Sequence, residues 1–300
     1  MARRARREYA LLLPPHRTNP NFQVPMGCWC SLADCKTGPM AELNGNPVTL
    51  DDLQSLALTN YGHFTSMRIE NGTVRGLSLH LDRLARDCRI LFGVELDRER
   101  TLNYIRKVAE GVTGVAGLRV TVFDPAIDMG RPSVAKDPHI LVNLRPGGAM
   151  PPPPLTAKTF TFTRDNAQVK HIGLYSQLRI RREAQLAGFD DAVFVEPDGR
   201  ISEGGTWNLG FVDRDGTVVW PDAPVLPGTT MLLLQSLDAP KQITALVRLT
   251  DVPNMAAAFA TNVTIGVRSV SALDDVQFPQ DHPVLAALRD AYVGIPGEAL

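Results

Sequence analysis

Ile201-Ser202-Glu203-Gly204-Gly205-Thr206-Trp207-Asn208-Leu209 is the stretch on which the reading of this chain turns. It follows a strand over 192–195 and the turn Pro197-Asp198-Gly199, so it opens on the second strand of a hairpin. An acid and two glycines at the end of that strand are either a solvated hairpin end or one wall of a site. Upstream stands Gln168-Val169-Lys170-His171-Ile172-Gly173-Leu174-Tyr175, which puts a lysine between a β segment (159–163) and a helix (174–187) closed by Gly188. Only six of the 31 basic residues are lysines (Lys36, Lys107, Lys136, Lys158, Lys170 and Lys241), so the search for a covalent lysine is short. Downstream, a second hairpin turns at Asp215-Gly216. Leu226-Pro227-Gly228-Thr229-Thr230 then sets a glycine and hydroxyls at the start of a helix over 229–237. Free N–H groups and the helix dipole favour a phosphate there.

The front half has its own rhythm. Residues 43–49 read as strand, turn and strand, and Thr49 caps a short helix through Leu58. Asn71-Gly72 is the strongest short hairpin signal in the chain. Leu81, Leu84, Cys88 and Leu91 recur at helical spacing, with Arg83 on the same helix. Strands over 118–123 and 140–144 lead into Arg145 and a run of glycines and prolines to Pro154 that supports neither helix nor central strand. The expected organisation is two α+β domains, a small one over 40–145 and a large one over 155–300, joined by a linker at 146–154. No G-x-G-x-x-G follows a strand and no Walker pattern occurs, which removes dinucleotide and P-loop readings.

Composition narrows the class further. With 300 residues, 44% hydrophobic and 21% charged, the chain is long enough to bury a large core, and no apolar run is long enough to span a membrane. A net charge of -1 argues against a nucleic-acid partner bound by bulk electrostatics. The first 39 residues differ from the rest: six basic residues against two acidic ones give them +4, leaving -5 for the other 261. They also hold Cys28, Cys30 and Cys35, whose spacing matches no common zinc site, so no metal is expected. Cys88 alone in the body cannot make a disulfide framework, which fits a reducing cytoplasm. Lacking a periodic apolar face, residues 1–39 are expected to be a disordered leader before Met40.

Taken together, these motifs resemble the class IV (fold-type IV) pyridoxal-phosphate enzymes: branched-chain and D-amino-acid aminotransferases and aminodeoxychorismate lyases. The resemblance runs from about Leu43 to about Val270 and rests on four motifs in order. These are Lys170 with Tyr175; Glu203-Gly204 with Asn208-Leu209; 226–230; and Thr261 before Val267-Arg268-Ser269-Val270. It implies a two-domain α+β fold, the cofactor pyridoxal 5'-phosphate, amino and keto acids as substrates, and a homodimer. It also implies roles. Lys170 would hold the cofactor as an imine, Glu203 would keep the pyridine nitrogen protonated, and Tyr175 would hydrogen-bond the phenolate oxygen. Arg83, Gly228, Thr229, Thr230 and Thr261 would clamp the phosphate. Plainer roles stand beside these: Tyr175 as a core aromatic, Arg83 as a partner of Asp82 or Asp87, Thr261 as a strand residue.

The departures bear on the reaction. The family usually opens its small domain with D-R-G and then G-D-G-x-F-E. Here residues 58–68 lack the acidic motif, and Thr65 stands where the glutamate is usual. Aminodeoxychorismate lyases also carry threonine there and share the Lys-His pair of Lys170-His171, whereas Tyr175 is the aminotransferase-like choice. The expected reaction is amino transfer. The alternative is a lyase releasing pyruvate, with the Thr65 hydroxyl as a catalytic donor or, more plainly, as a sheet residue. A chain beginning at Met40 is expected to keep its fold, cofactor and activity. A large drop in melting temperature or lost cofactor in that shortened chain would count residues 1–39 as part of the structure.

Overall fold

The structure, a computed structural model, describes residues 41–135 and 137–300; the leader and Met40 lie outside them. The front half runs β1 (Ala41–Leu43), β2 (Asn46–Pro47), α1 (Leu50–Thr59), β3 (His63–Glu70), β4 (Thr73–Val74), α2 (Leu77–Phe92), α3 (Arg98–Ala109), β5 (Val115–Phe123) and β6 (His139–Pro146). The back half runs β7 (Leu155–Thr161), α4 (Tyr175–Leu186), β8 (Asp191–Val195), β9 (Ile201–Gly204), β10 (Asn208–Val212), β11 (Val218–Pro221) and α5 (Thr229–Gln235). It continues with β12 (Gln242–Ala245), β13 (Ala257–Asn262), β14 (Gly266–Leu273), β15 (Val276–Gln277), α6 (Pro283–Gly294) and β16 (Glu298–Ala299).

The strands form two sheets. The first has the order β16-β4-β3-β5-β6-β1-β2, and the second runs β12-β11-β10-β13-β14-β7-β8-β9 with β15 beside β14. Strands before Pro146 belong to the first sheet and strands from Leu155 to the second, with one exception. The last strand, β16, crosses back to pair with β4, Glu298 opposite Val74. The division at 155–300 expected from sequence therefore misses the terminal strand, which is too short to carry any periodic signal.

Strand alternation explains how the first sheet makes both a core and a wall. On β5, Ala116, Leu118, Val120 and Val122 are wholly buried and pack against α2 and α3, with Met67 and Ile69 of β3 and Ile140, Val142 and Leu144 of β6. Burying each larger side chain is worth about 1.5–3 kcal/mol. The residues between them face the other way: Phe64 and Ser66 on β3, Gly117, Arg119 and Thr121 on β5, Asn143 and Arg145 on β6. In the second sheet, one face packs around Trp207, Phe211 and Val270. The other packs around Trp220, Phe259 and helices α5 and α6.

The two halves are stitched where β3 begins. Phe64 N–H donates to the carbonyl of Lys170 at 2.9 Å and Ile172 N–H to that of Gly62 at 2.9 Å, pairing His63 with His171. The approach needs a glycine at position 62, since a Cβ there would run into the Val122 carbonyl oxygen and crowd Phe123 and Ile172. Gly62→Ala is expected to lose about 1–3 kcal/mol of stability, as an overpacked site does. Thermal unfolding would read this as a midpoint several degrees lower, and an unchanged midpoint would show that the stitch does not constrain the backbone.

Candidate functional site

Between the cavity-facing side of the first sheet and the second sheet lies a cavity of about 300 Å³. Lys170, His171, Glu203, Asn208, Gly228, Thr229 and Arg83 line it, so most of the residues singled out in the sequence meet in one place. Lys170 is held by its backbone. Its N–H donates to Asp87 Oδ2 at 3.0 Å, and Asp87 is itself fully buried on α2. Arg86 donates to Asp87 Oδ1 at 2.7 Å and to the Gln168 carbonyl at 2.7 Å, closing a small network under the lysine. With the main chain pinned, the ammonium extends into the cavity 4.9 Å from the centre of the Phe64 ring. Burial, with Arg83 and Arg164 nearby, pulls the Lys170 amine down to about 7, and Glu203 only partly opposes this. An amine that is neutral near physiological pH can act as a nucleophile and a base.

Glu203 ends β9 and is buried. Its Oε1 accepts from Arg164 at 2.6 Å, and its Oε2 accepts from the Leu226 N–H at 3.2 Å and from Asn208 at 3.5 Å. Desolvation raises the Glu203 carboxyl above its ordinary value, with Arg164 pulling the other way. Asn208 Nδ2 also donates to the Leu226 carbonyl at 2.7 Å, tying β10 to the turn before α5. Gly228 is required there, because any side chain at that position would collide with Asn208 Oδ1.

A polar corner forms around Arg83. Its Nη2 donates to Thr65 Oγ1 and lies 3.1 Å from His80 Nδ1, which is 2.7 Å from Thr65 Oγ1 and 3.4 Å from Thr229 Oγ1. All four residues are buried. Burial and the Arg83 charge hold His80 well below its ordinary value, so it is neutral. Burial pulls Arg83 itself down to about 10. Arg83 Nε, His80 Nε2 and the buried Thr261 Oγ1 have no hydrogen-bond partner among the described residues. Buried polar groups left open in this way mark a place for a polar, anionic ligand group.

Three expected roles need correction. Tyr175 is 75% exposed and does not line the cavity. Leu174, Gln177, Leu178 and Arg181 form the α4 face that does, and one residue on from Leu174 is about 100° around the helix. Thr230 turns away from the phosphate corner, its Oγ1 3.3 Å from the Tyr292 hydroxyl in the core. Thr65 faces Arg83 and His80, while its neighbours Phe64 and Ser66 line the cavity, so its hydroxyl is not presented to a substrate. Thr261 is buried beside the cavity, whose lining at this point comes from Asn262, Val263 and Thr264. Sequence reasoning missed Arg164, His80, Arg119 and Arg145. Arg119 was legible only as a polar alternate of a strand, and Arg145 and Arg164 gave no signal beyond following one.

Comparisons with known proteins bear on the family and the fold. The family model for amino-transferase class IV matches residues 62–273. No curated protein sequence matches the chain. The fold is similar to the branched-chain amino acid aminotransferase of Escherichia coli, at 20% identity and TM-score 0.76 over 86% of this chain and 94% of that one. It is also similar to a hypothetical aminotransferase of Mycobacterium tuberculosis in its PLP-bound form, at 19% identity and TM-score 0.71 over 85% and 98%. A third likeness is the branched-chain aminotransferase of Thermoproteus uzoniensis solved with norvaline, at 17% identity and TM-score 0.75 over 85% and 94%.

The buried imidazoles make a stability prediction. His63 is fully buried with neither ring nitrogen partnered among the described residues, and burial followed by the Arg83 and Arg86 charges lowers it to about 3 from an ordinary 6.5. Below pH 6.5 the unfolded chain therefore takes up a proton at His63 that the folded chain refuses. Stability is full above that pH and falls by up to about 1.4 kcal/mol per pH unit on the way down. Melting temperature should decline from pH 6.5 to 5, and His63→Phe should decline less steeply. Equal slopes would show that His63 is not buried neutral.

Proposed function

This chain belongs to the class IV aminotransferases, pyridoxal-phosphate-dependent enzymes that move an amino group between amino and keto acids, and on that premise we propose that Lys170 is its catalytic lysine. The observation that carries this is an amine held at about 7 in the same cavity as a buried carboxylate and as Arg83 and His80, each with a buried nitrogen that has no partner among the described residues. These residues fit the cofactor. Lys170 would hold its aldehyde end, Glu203 would face its ring nitrogen, and Arg83 with Gly228, Thr229 and Thr261 would hold its phosphate. Bound there, the cofactor supplies an electron sink that makes the substrate Cα–H acidic.

The protein's own work is then positioning and proton handling. Lys170 Nζ takes the Cα proton of the amino acid and holds it for return, a task suited to a base poised near neutrality. Arg164, Asn208 and the Leu226 N–H hold the Glu203 carboxyl where it would face the ring nitrogen. Asn208 acts through Glu203 and the 226–228 turn. Thr65 and His80 aim Arg83, so Thr65 is a positioning residue. That removes one of the two features behind the lyase alternative, the other being the Lys170-His171 pair, and supports amino transfer as the reading.

The assembly we propose is a homodimer. Leu50, Leu58 and Met129 are 72% or more exposed, and α1, which packs on the chain through Leu53 and Leu56, has no fully buried residue. The free thiol of Cys88, buried in the α2 core, supports a reducing, cytoplasmic setting. Among the described residues no helix is long and apolar enough to cross a membrane.

Borohydride treatment of the holoenzyme followed by peptide mapping should place the pyridoxyl group on Lys170. A label on Lys158 or Lys241 would overturn the assignment. A panel of amino donors, followed through the cofactor's visible spectrum and by transfer to a keto acid, should give amino transfer, and Lys170→Ala should lose it by several orders of magnitude. Pyruvate release from aminodeoxychorismate without transfer to any keto acid would favour the lyase.

A further inference from the structure

Two helix starts meet at the polar corner. Helix α2 carries His80 and Arg83 in its first two turns, and α5 begins at Thr229, whose Oγ1 lies 3.4 Å from His80 Nδ1. The starts touch at Gly76, the residue before α2. A Cβ there would come within 2.9 Å of Thr229 Cγ2 and 3.2 Å of Leu233 Cδ1. Its backbone is also left-handed, with a φ of 69°, so glycine is the residue that fits. That choice leaves α2 without a cap of its own. Gly76 has no side chain to accept from the free N–H groups, and no acid stands in the first turn.

The missing cap comes from far along the chain. Glu298 on β16 accepts from the Ser78 N–H at 3.0 Å through Oε2 and at 3.2 Å through Oε1, and from Ser78 Oγ at 3.2 Å. A carboxylate at this end of a helix also complements its dipole. Backbone pairing aims it there: Glu298 lies opposite Val74 on β4, and the Leu300 N–H donates to the Gly72 carbonyl at 3.1 Å. Arg75, the residue before Gly76, grips the same segment. Its Nε and Nη2 donate to the carbonyls of Ile295 and Val293, both at 3.1 Å. Near the end of α6, the buried Tyr292 sets its hydroxyl 3.3 Å from Thr230 Oγ1, in the first turn of α5. Residues 292–300 thus touch the first turns of both helices that build the corner.

We propose that residues 292–300 are a strap that sets α2 against α5, with Glu298 as the positioning residue that keeps His80 and Arg83 in place beside Thr229 for the cofactor's phosphate. The groups that meet this phosphate come from two halves of the chain, and an anion gains from both only when their spacing is fixed beforehand. Fraying of the first turn of α2 loosens His80, whose N–H donates to the Gly76 carbonyl at 3.1 Å, and with it a neighbour of Arg83. Glu298 is exposed and does not line the cavity, so it acts through α2 and its loss removes no core packing. The inference rests on the phosphate lying at Arg83 and Thr229.

Titration of the full-length apoenzyme with pyridoxal 5'-phosphate and with pyridoxal, followed through the visible absorbance, tests it. The two ligands differ in the phosphate alone. Glu298→Ala should raise the Kd for pyridoxal 5'-phosphate about fivefold, the worth of one helix cap, and change that for pyridoxal by less than about twofold. Glu298→Gln, which keeps an acceptor oxygen, should fall between this variant and the unmutated protein. Inorganic phosphate should raise the melting temperature of the unmutated apoenzyme by more than that of Glu298→Ala. Equal weakening of both ligands, or no change in either, would overturn the strap as a positioning device even if the variant melted earlier. An unmutated protein that binds pyridoxal as tightly as pyridoxal 5'-phosphate would instead overturn the placement of the phosphate, and the strap's role with it.

Discussion

The site depends on one buried carboxylate. Asp87, on the inner side of α2, gives one oxygen to Arg86 and the other to the backbone N–H of Lys170. A carboxylate removed from water is costly unless paired and hydrogen-bonded, and a lone buried one is strongly destabilising. This one is satisfied from two directions, by a side chain of its own helix and by the lysine's main chain from the other half of the molecule. Nothing in that arrangement touches the lysine amine. It fixes the point from which the amine extends, and the His63–His171 bridge fixes the direction. With the backbone so determined, the side chain has one cavity to enter.

Once there, the electrostatics follow from which cations are already paired. Arg164 faces Glu203 at 2.6 Å, and together they present little net charge to the lysine. Arg83 is turned to neutral partners, Thr65 and His80, so its charge stays available. Arg119 and Arg145, which also line the cavity, have no carboxylate partner among the described residues. The cavity is therefore strongly positive before anything binds, in a chain whose overall charge is -1. A lysine that is buried, and then set in such a field, loses its proton readily, and an anionic ligand enters with a gain. The same excess of positive charge serves both needs.

How much of this could be read beforehand divides along physical lines. The motif at 201–209, the lysine at 170 and the turn at 226–230 were legible because strands, turns and helix starts leave local composition signals, and the structure brings them into one cavity. Arg83 was legible as a helix residue, though its contact with Thr65 was not, since a contact across eighteen residues leaves no spacing rule. Tyr175 failed for a rotational reason. Whether a residue at a helix start faces in or out depends on where the first turn begins, and a shift of one residue moves it about 100°. Arg145 lay just past the strand expected over 140–144, which the structure extends to Pro146, and Arg119 was hidden by the opposite problem. A polar residue alternating on a half-buried strand looks like an ordinary solvent-facing position, and only the second sheet packed beyond it turns that face into a wall.

Thr65 shows how strand parity decides chemistry. Residues 64, 65 and 66 follow one another on β3, so the side chain of the middle one leaves the opposite face from its neighbours. Had the strand been entered one residue earlier, Thr65 would look into the cavity beside Lys170, and Phe64 and Ser66 would be buried against α2. The entry is set by Gly62, which packs against the Val122 carbonyl and Ile172 where no larger residue fits. From that fixed start Phe64 must carry Arg119 and approach Lys170, Ser66 must meet Arg145, and Thr65 must turn to Arg83. The parity of one strand thus assigns the phosphate corner to one face and the substrate side of the cavity to the other. It does so through a glycine that touches neither.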